Sequence, residues 1–130
     1  MSDLKQRQKL LALVKTKQLA LNTLQKAQGI LKRGAWFGGN TFTKTKNIVN
    51  PDAICAQMAI NQAAGHGDRD AAYYDSFAEK LVIQEVKQKN NYCSIPDWND
   101  DPTTTKREVL STFGKIINNL KTELHINALK

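Results

Sequence analysis

The sequence predicts an all-α protein, a compact bundle of four main helices with a short loop or hairpin between the first two. Three observations carry that prediction. Apolar residues recur at spacings of three and four through long stretches. Residues that cap or break helices separate those stretches. The one strand-prone segment, residues 34–50, is too short to define a sheet. A chain of 130 residues, 41% hydrophobic and with four Phe, three Tyr and two Trp, is one domain with enough apolar material for one core.

The first helix spans Leu4 to Leu31, with Ser2 as its N-cap. Leu10, Leu13, Ala20, Leu24, Ala27 and Leu31 form its stripe; Lys17 interrupts it, and Leu11, Val14 and Leu21 widen it. Gly34 stops the helix after Lys32 and Arg33, cations suited to a helix C-terminus. In residues 34–50, Trp36, Phe37, Phe42, Ile48 and Val49 favour a strand and Gly38-Gly39 a tight turn. Asn50-Pro51-Asp52 then opens a second helix: Asn caps, Pro suits the first helical position, and Asp suits the positive dipole end. Its body, AICAQMAINQAA, is apolar nearly all round, which places it at the centre of the bundle, and Gly65 and Gly67 end it. A third helix occupies residues 68–90, with Ala71, Tyr74, Phe77, Ala78, Leu81, Val82 and Val86 inward, and Asn90-Asn91 as its stop. Thr105 and Glu108 fit a capping box for the last helix, whose inner face is Val109, Leu110, Phe113, Ile116, Ile117, Leu120 and Leu124.

The net charge of +7 is unevenly placed. Residues 1–50 hold ten Lys/Arg against Asp3 alone, and residues 51–130 hold nine against eleven acids. The basic end therefore predicts an anionic partner. We divide the chain into a basic N-terminal helix or extension, residues 1–18, and one helical domain, residues 19–130. No apolar run reaches the roughly 20 residues that cross a bilayer, so no membrane is expected. The opening MSDLKQRQKLLALVK has charges threaded through it and no small-residue cleavage site, which argues against a secretory signal. Cys55 and Cys93 then read as reduced thiols of a cytoplasmic protein.

The chain resembles a family of short bacterial and phage proteins of unknown function. Trp36 with Gly38 or Gly39, Cys55-Ala56 opening a small-residue helix, and Trp98-Asn99-Asp100 with Pro102, Thr104 and Glu108-Val109-Leu110 carry the likeness over roughly residues 20–120. The resemblance implies a helical fold and a phage or mobile-element setting, hence the cytoplasm of a bacterial host. It implies no reaction. The short Lys- and Thr-rich loop, Ala59 or Ile60 in place of a helix Gly, and the basic N-terminal extension depart from the usual member.

Five groups of residues invite a chemical reading. Asp97, Asp100 and Asp101 offer oxygens to a hard cation, but the alternating acids, mid-loop Gly and final Glu of an EF-hand are absent. A structural turn explains them better: Ile95-Pro96 ends an extended segment, Trp98 plugs the core, Asn99 and Asp100 bond turn amides, and Pro102 precedes the capped helix. Cys55, one turn inside a helix N-terminus, can serve as a nucleophile if His66 or His125 is its base and Asn99 or Asp100 orients that base. Buried cysteine is more often inert core. Cys55, His66, Cys93 and His125 lack zinc-site spacing. GAWFGGNT lacks the lysine, the preceding strand and the following helix of a phosphate loop.

The basic segment remains. Lys5, Arg7, Lys9, Lys15, Lys17, Lys32, Arg33, Lys44 and Lys46, with Trp36 available to stack on bases, suit a nucleic acid gripped without sequence preference. The same helix suits an acidic protein partner, with Leu10, Leu13, Leu24 and Leu31 docking in a groove. We expect a small non-catalytic accessory protein that binds nucleic acid or an acidic host protein, in a host-takeover or anti-defence role. No cofactor is implied, and the oligomeric state is open. The competing expectation is a thiol enzyme built on Cys55.

Overall fold

The protein is described by a computed structural model covering residues 2–34, 36, 55–65 and 76–129. Five helices account for nearly all of it: α1 (Ser2–Arg33), α2 (Ala56–Ala63), α3 (Ser76–Asn90), α4 (Ile95–Asn99) and α5 (Lys106–Leu129). The fold is all-α, as expected. Of the loop or hairpin expected over residues 34–50, only Gly34 and Trp36 are among the described residues; Lys44 and Lys46 lie outside them, as do Ala71 and Tyr74.

α1 is rich in Leu, Ala, Gln and Lys, the residues that lose least on entering a helix. Its 32 residues span about 48 Å. It runs antiparallel to α5, and three polar ties give the register. Lys106 Nζ donates to the Gly34 carbonyl at 2.9 Å, Gln28 Nε2 to the Leu110 carbonyl at 3.1 Å, and Lys17 pairs with Glu123 at 2.9 Å. The first tie puts a cation on the negative end of α1.

The core fills the space between α1, α2, α3 and α5, with α4 closing one end. Leu24, Ala27 and Leu31 meet Ala56, Ala59 and Ile60 of α2, Val82 and Val86 of α3, Ile95 of α4, and Val109, Phe113 and Leu120 of α5. The small residues of α2 let it lie close to α1. The predicted stripe of α1 is fully buried only from Ala20 onward, with Val14 half-buried before it. Leu10 and Leu13 share the meridian of Leu24 and Leu31, yet they are 50% and 44% exposed. Periodicity reports a shared face; it does not report what covers it.

The helix ends follow local chemistry. Asn91 closes α3 in the left-handed region at φ 61, its N–H donating to the Lys87 carbonyl at 3.0 Å. Gly65, at φ 81, does the same work after α2, its N–H donating to the Gln62 carbonyl at 3.0 Å. Thr105 caps α5, its hydroxyl accepting from the Glu108 N–H at 3.2 Å, which is the Thr half of the predicted box.

Two expectations are corrected. The second helix does not run through Cys55: that residue is extended (φ −86, ψ 167) and caps a helix that begins at Ala56, while Asn50-Pro51-Asp52 lies outside the described residues. Cys55 is thus the cap and not a residue one turn inside. Ile95-Pro96 does not end an extended segment either. It opens α4, capped by Ser94, whose hydroxyl accepts from the Asp97 N–H at 3.2 Å, with Pro96 in the first turn where its missing N–H is harmless.

Candidate functional site

Among the residues that carry the resemblance, Trp36, Cys55-Ala56 and Asn99-Asp100 come from three separate segments, and the fold brings them to one junction. Its centre is the side chain of Asn99, fully buried at the end of α4. Asn99 Oδ1 accepts from the Trp36 indole Nε1 at 2.8 Å and from the Ala56 N–H at 3.0 Å. Asn99 Nδ2 donates to Asp100 Oδ1 at 2.9 Å. Trp36 is half-buried beside it. One amide side chain therefore satisfies the first N–H of α2, holds the tryptophan after α1, and turns the adjacent carboxylate. The expectation that Asn99 and Asp100 bond turn amides is corrected: the Asn99 acceptor reaches across the fold to Trp36 and Ala56, and the Asp100 carboxylate accepts from the Asn99 amide.

Cys55 lies at the same junction. Its Sγ accepts from the Met58 N–H at 3.4 Å. Burial pushes the thiol above its ordinary value; amide donors from Met58 and Gln57 pull it down, and the Asp100 carboxylate pushes it up again. The balance favours the neutral thiol, which is the opposite of nucleophile activation. His66 lies outside the described residues, and His125 is exposed near the end of α5.

The acidic knot is spent on local bonds. Asp97 Oδ2 accepts from the Cys93 N–H at 3.2 Å. Asp101 Oδ1 accepts from the Thr103 N–H at 2.8 Å and the Thr103 hydroxyl at 2.7 Å, and Oδ2 from the Tyr92 hydroxyl at 2.9 Å. These donors, Thr103 first, hold the Asp101 carboxyl below its usual range. Among the described residues no three His, Cys, Asp or Glu side chains gather to hold a metal.

The cationic candidates sit elsewhere. Lys5, Arg7, Lys9, Lys15, Lys32 and Arg33 are exposed along α1. Lys17 is turned toward α5 and held by Glu123. Leu4, Leu11 and Leu19 are exposed among these cations, at 58%, 61% and 66%. Trp36 belongs to the junction, its indole N–H already used.

A family model described as a family of unknown function, DUF6197, matches residues 15–119. The chain belongs to that family. No curated protein and no solved structure matches it. The DUF6197 match takes in Trp36, Cys55 and Asn99, so the junction is built wholly from matched residues. It begins after Lys5, Arg7, Lys9, Leu10 and Leu13. Sequence reasoning missed Tyr92 and Thr112. A threonine on the apolar stripe of α5 was the available signal for the second; nothing local marked the first.

Proposed function

We propose that the protein is a non-catalytic binding module that docks through the N-terminal half of α1 onto an acidic protein. The observation that supports this most is the composition of that surface. Leu4, Leu10, Leu11, Leu13 and Leu19 are all more than 40% exposed. Lys5, Arg7, Lys9 and Lys15 lie between them, with no ion-pair partner among the described residues. Cations alone suit a nucleic acid backbone; leucines among them suit the apolar face of a protein. In the phage setting that the resemblance implies, the partner is a host protein.

Among the described residues no helix is long and apolar enough to cross a membrane. The thiol-enzyme reading gains less support, because Cys55 is a half-buried helix cap whose thiol is held neutral.

The test compares the full chain with a variant carrying Lys5→Glu, Arg7→Glu, Lys9→Glu and Lys15→Glu in capture from bacterial extract, alongside anisotropy with labelled DNA and RNA over a salt series. Capture of one protein by the native chain only, with no nucleic acid binding, is the expected result. Nucleic acid affinity that falls linearly in log salt and disappears in the variant would move the reading to nucleic acid. Capture unaffected by the four reversals would remove α1 as the docking surface.

A further inference from the structure

A cavity of about 230 Å³ opens between the end of α3, α4 and the first turns of α5. Val86 and Trp98, 1% and 4% exposed, form its apolar wall. Tyr92 stands beside them, its ring anchored by the hydroxyl that donates to Asp101. Thr112 also borders it and is 2% exposed. The hydroxyls of Thr16 and Thr122 each donate to the carbonyl four residues earlier, at 2.9 and 3.0 Å. The Thr112 hydroxyl has no hydrogen-bond partner among the described residues, which is unusual for a buried polar group. At the mouth stand Lys89 of α3 and Glu108 of α5, opposite charges that pair neither with each other nor with another described residue.

The size is informative. A cavity of about 150 Å³ takes up benzene, and pockets for drug-sized molecules begin near 300 Å³. The space here suits one ring with a short polar arm. Glu108 and Thr112 are four residues apart, on one face of α5, so a carboxylate and a hydroxyl stack on one side. Lys89 supplies the cation from the other.

We propose that this cavity binds a small aromatic zwitterion, of the class of a free aromatic amino acid. The ring packs on Tyr92 and meets the small exposed edge of Trp98, an edge-to-face arrangement in which aromatic pairs gain beyond their buried area. The ammonium lies toward Glu108 and the Thr112 hydroxyl, and the carboxylate toward Lys89. The proposal stands apart from the α1 docking surface and survives its failure.

The experiment is an NMR titration of the full chain with L-phenylalanine, repeated with phenethylamine and phenylacetate, each of which lacks one charge. Saturable shifts at the Trp98 indole and the Thr112 amide are expected. Phenylalanine should bind about tenfold tighter than either single-charge probe, the worth of one charge-assisted hydrogen bond. Thr112→Val should weaken it several-fold without lowering Tm, since it removes an unpartnered hydroxyl at nearly constant shape. No saturable shift at those two positions, equal binding of all three probes, or undiminished affinity in Thr112→Val would each overturn the proposal.

Discussion

Trp36 and Asn99 stand 63 positions apart and meet through one hydrogen bond of 2.8 Å, the indole N–H donating to the Asn99 side-chain oxygen. The same oxygen accepts the Ala56 N–H at 3.0 Å. Removing it strands two donors at once. Asn99→Ala should cost about 3 kcal/mol in urea unfolding, because each buried polar group left unpaired loses about 1–3 kcal/mol. Trp36→Phe removes one donor and leaves the Ala56 bond, so it should cost less than half as much. Equal costs would mean that the amide does not organise the junction.

Cys55→Ser should leave stability unchanged or slightly raised, since serine is a good N-cap and the Met58 N–H keeps an acceptor. The native thiol is held above its ordinary value, so its thiolate is scarce at neutral pH and increases only as pH rises past the usual thiol range. Iodoacetamide should therefore modify exposed Cys93 first and Cys55 slowly, with peptide mapping over a pH series as the check. Rapid labelling of Cys55 at neutral pH would restore the enzyme reading.

Asp101 ties Tyr92 and Thr103 together, and its carboxyl is held low. A depressed carboxyl contributes stability above its unfolded pKa and loses it as pH falls through the folded value. Asp101→Asn should thus lower Tm at neutral pH, and the gap should close in acid. A gap that persists at the lowest pH would assign the loss to shape and not to charge.

Gly29 sits inside α1, where a Cβ would meet only the flexible end of the Arg33 side chain, at 3.3 Å. Gly29→Ala should stabilise the fold by about 0.5–1 kcal/mol through helix propensity. A loss in thermal unfolding would show that the Arg33 guanidinium cannot move aside.

Reversing Lys5, Arg7, Lys9 and Lys15 together should leave Tm nearly unchanged, since exposed positions are within about 0.5 kcal/mol of neutral. A double-mutant cycle on Lys17 and Glu123 should give a coupling below about 1 kcal/mol, because the Glu123 carboxylate is half exposed and solvent screens the pair. A larger coupling would make Lys17 a structural strut of α1.

Much of this molecule was legible without coordinates. Helical spacing located the buried faces of α1 from Ala20 onward, of α3 and of α5, and Asn91, Gly65 and Thr105 punctuated the helices through local backbone chemistry. The start of α2 is not legible locally: Pro51 and Asp52 carry the stronger start signals in the sequence, while the helix capped by Cys55 has its first N–H held by Asn99 from a distant segment. Turn chemistry is legible in the residue types, but its assignment to Asn99 and Asp100 is not what the fold shows: Asp101 takes the Thr103 N–H, while Asn99 reaches the first N–H of α2.

The sequence by itself determined the helical period of α1, α3 and α5, the placing of charge in the first fifty residues, and the Asn91, Gly65 and Thr105 helix ends, because these depend on neighbours within about one turn of helix. Tertiary structure alone decided that Leu10 and Leu13 stay uncovered while Leu24 and Leu31 are buried, that Lys17 turns to Glu123, and that one asparagine oxygen serves both Trp36 and α2. Those outcomes depend on which distant segment arrives at a given place. A spacing pattern within one helix carries no record of that.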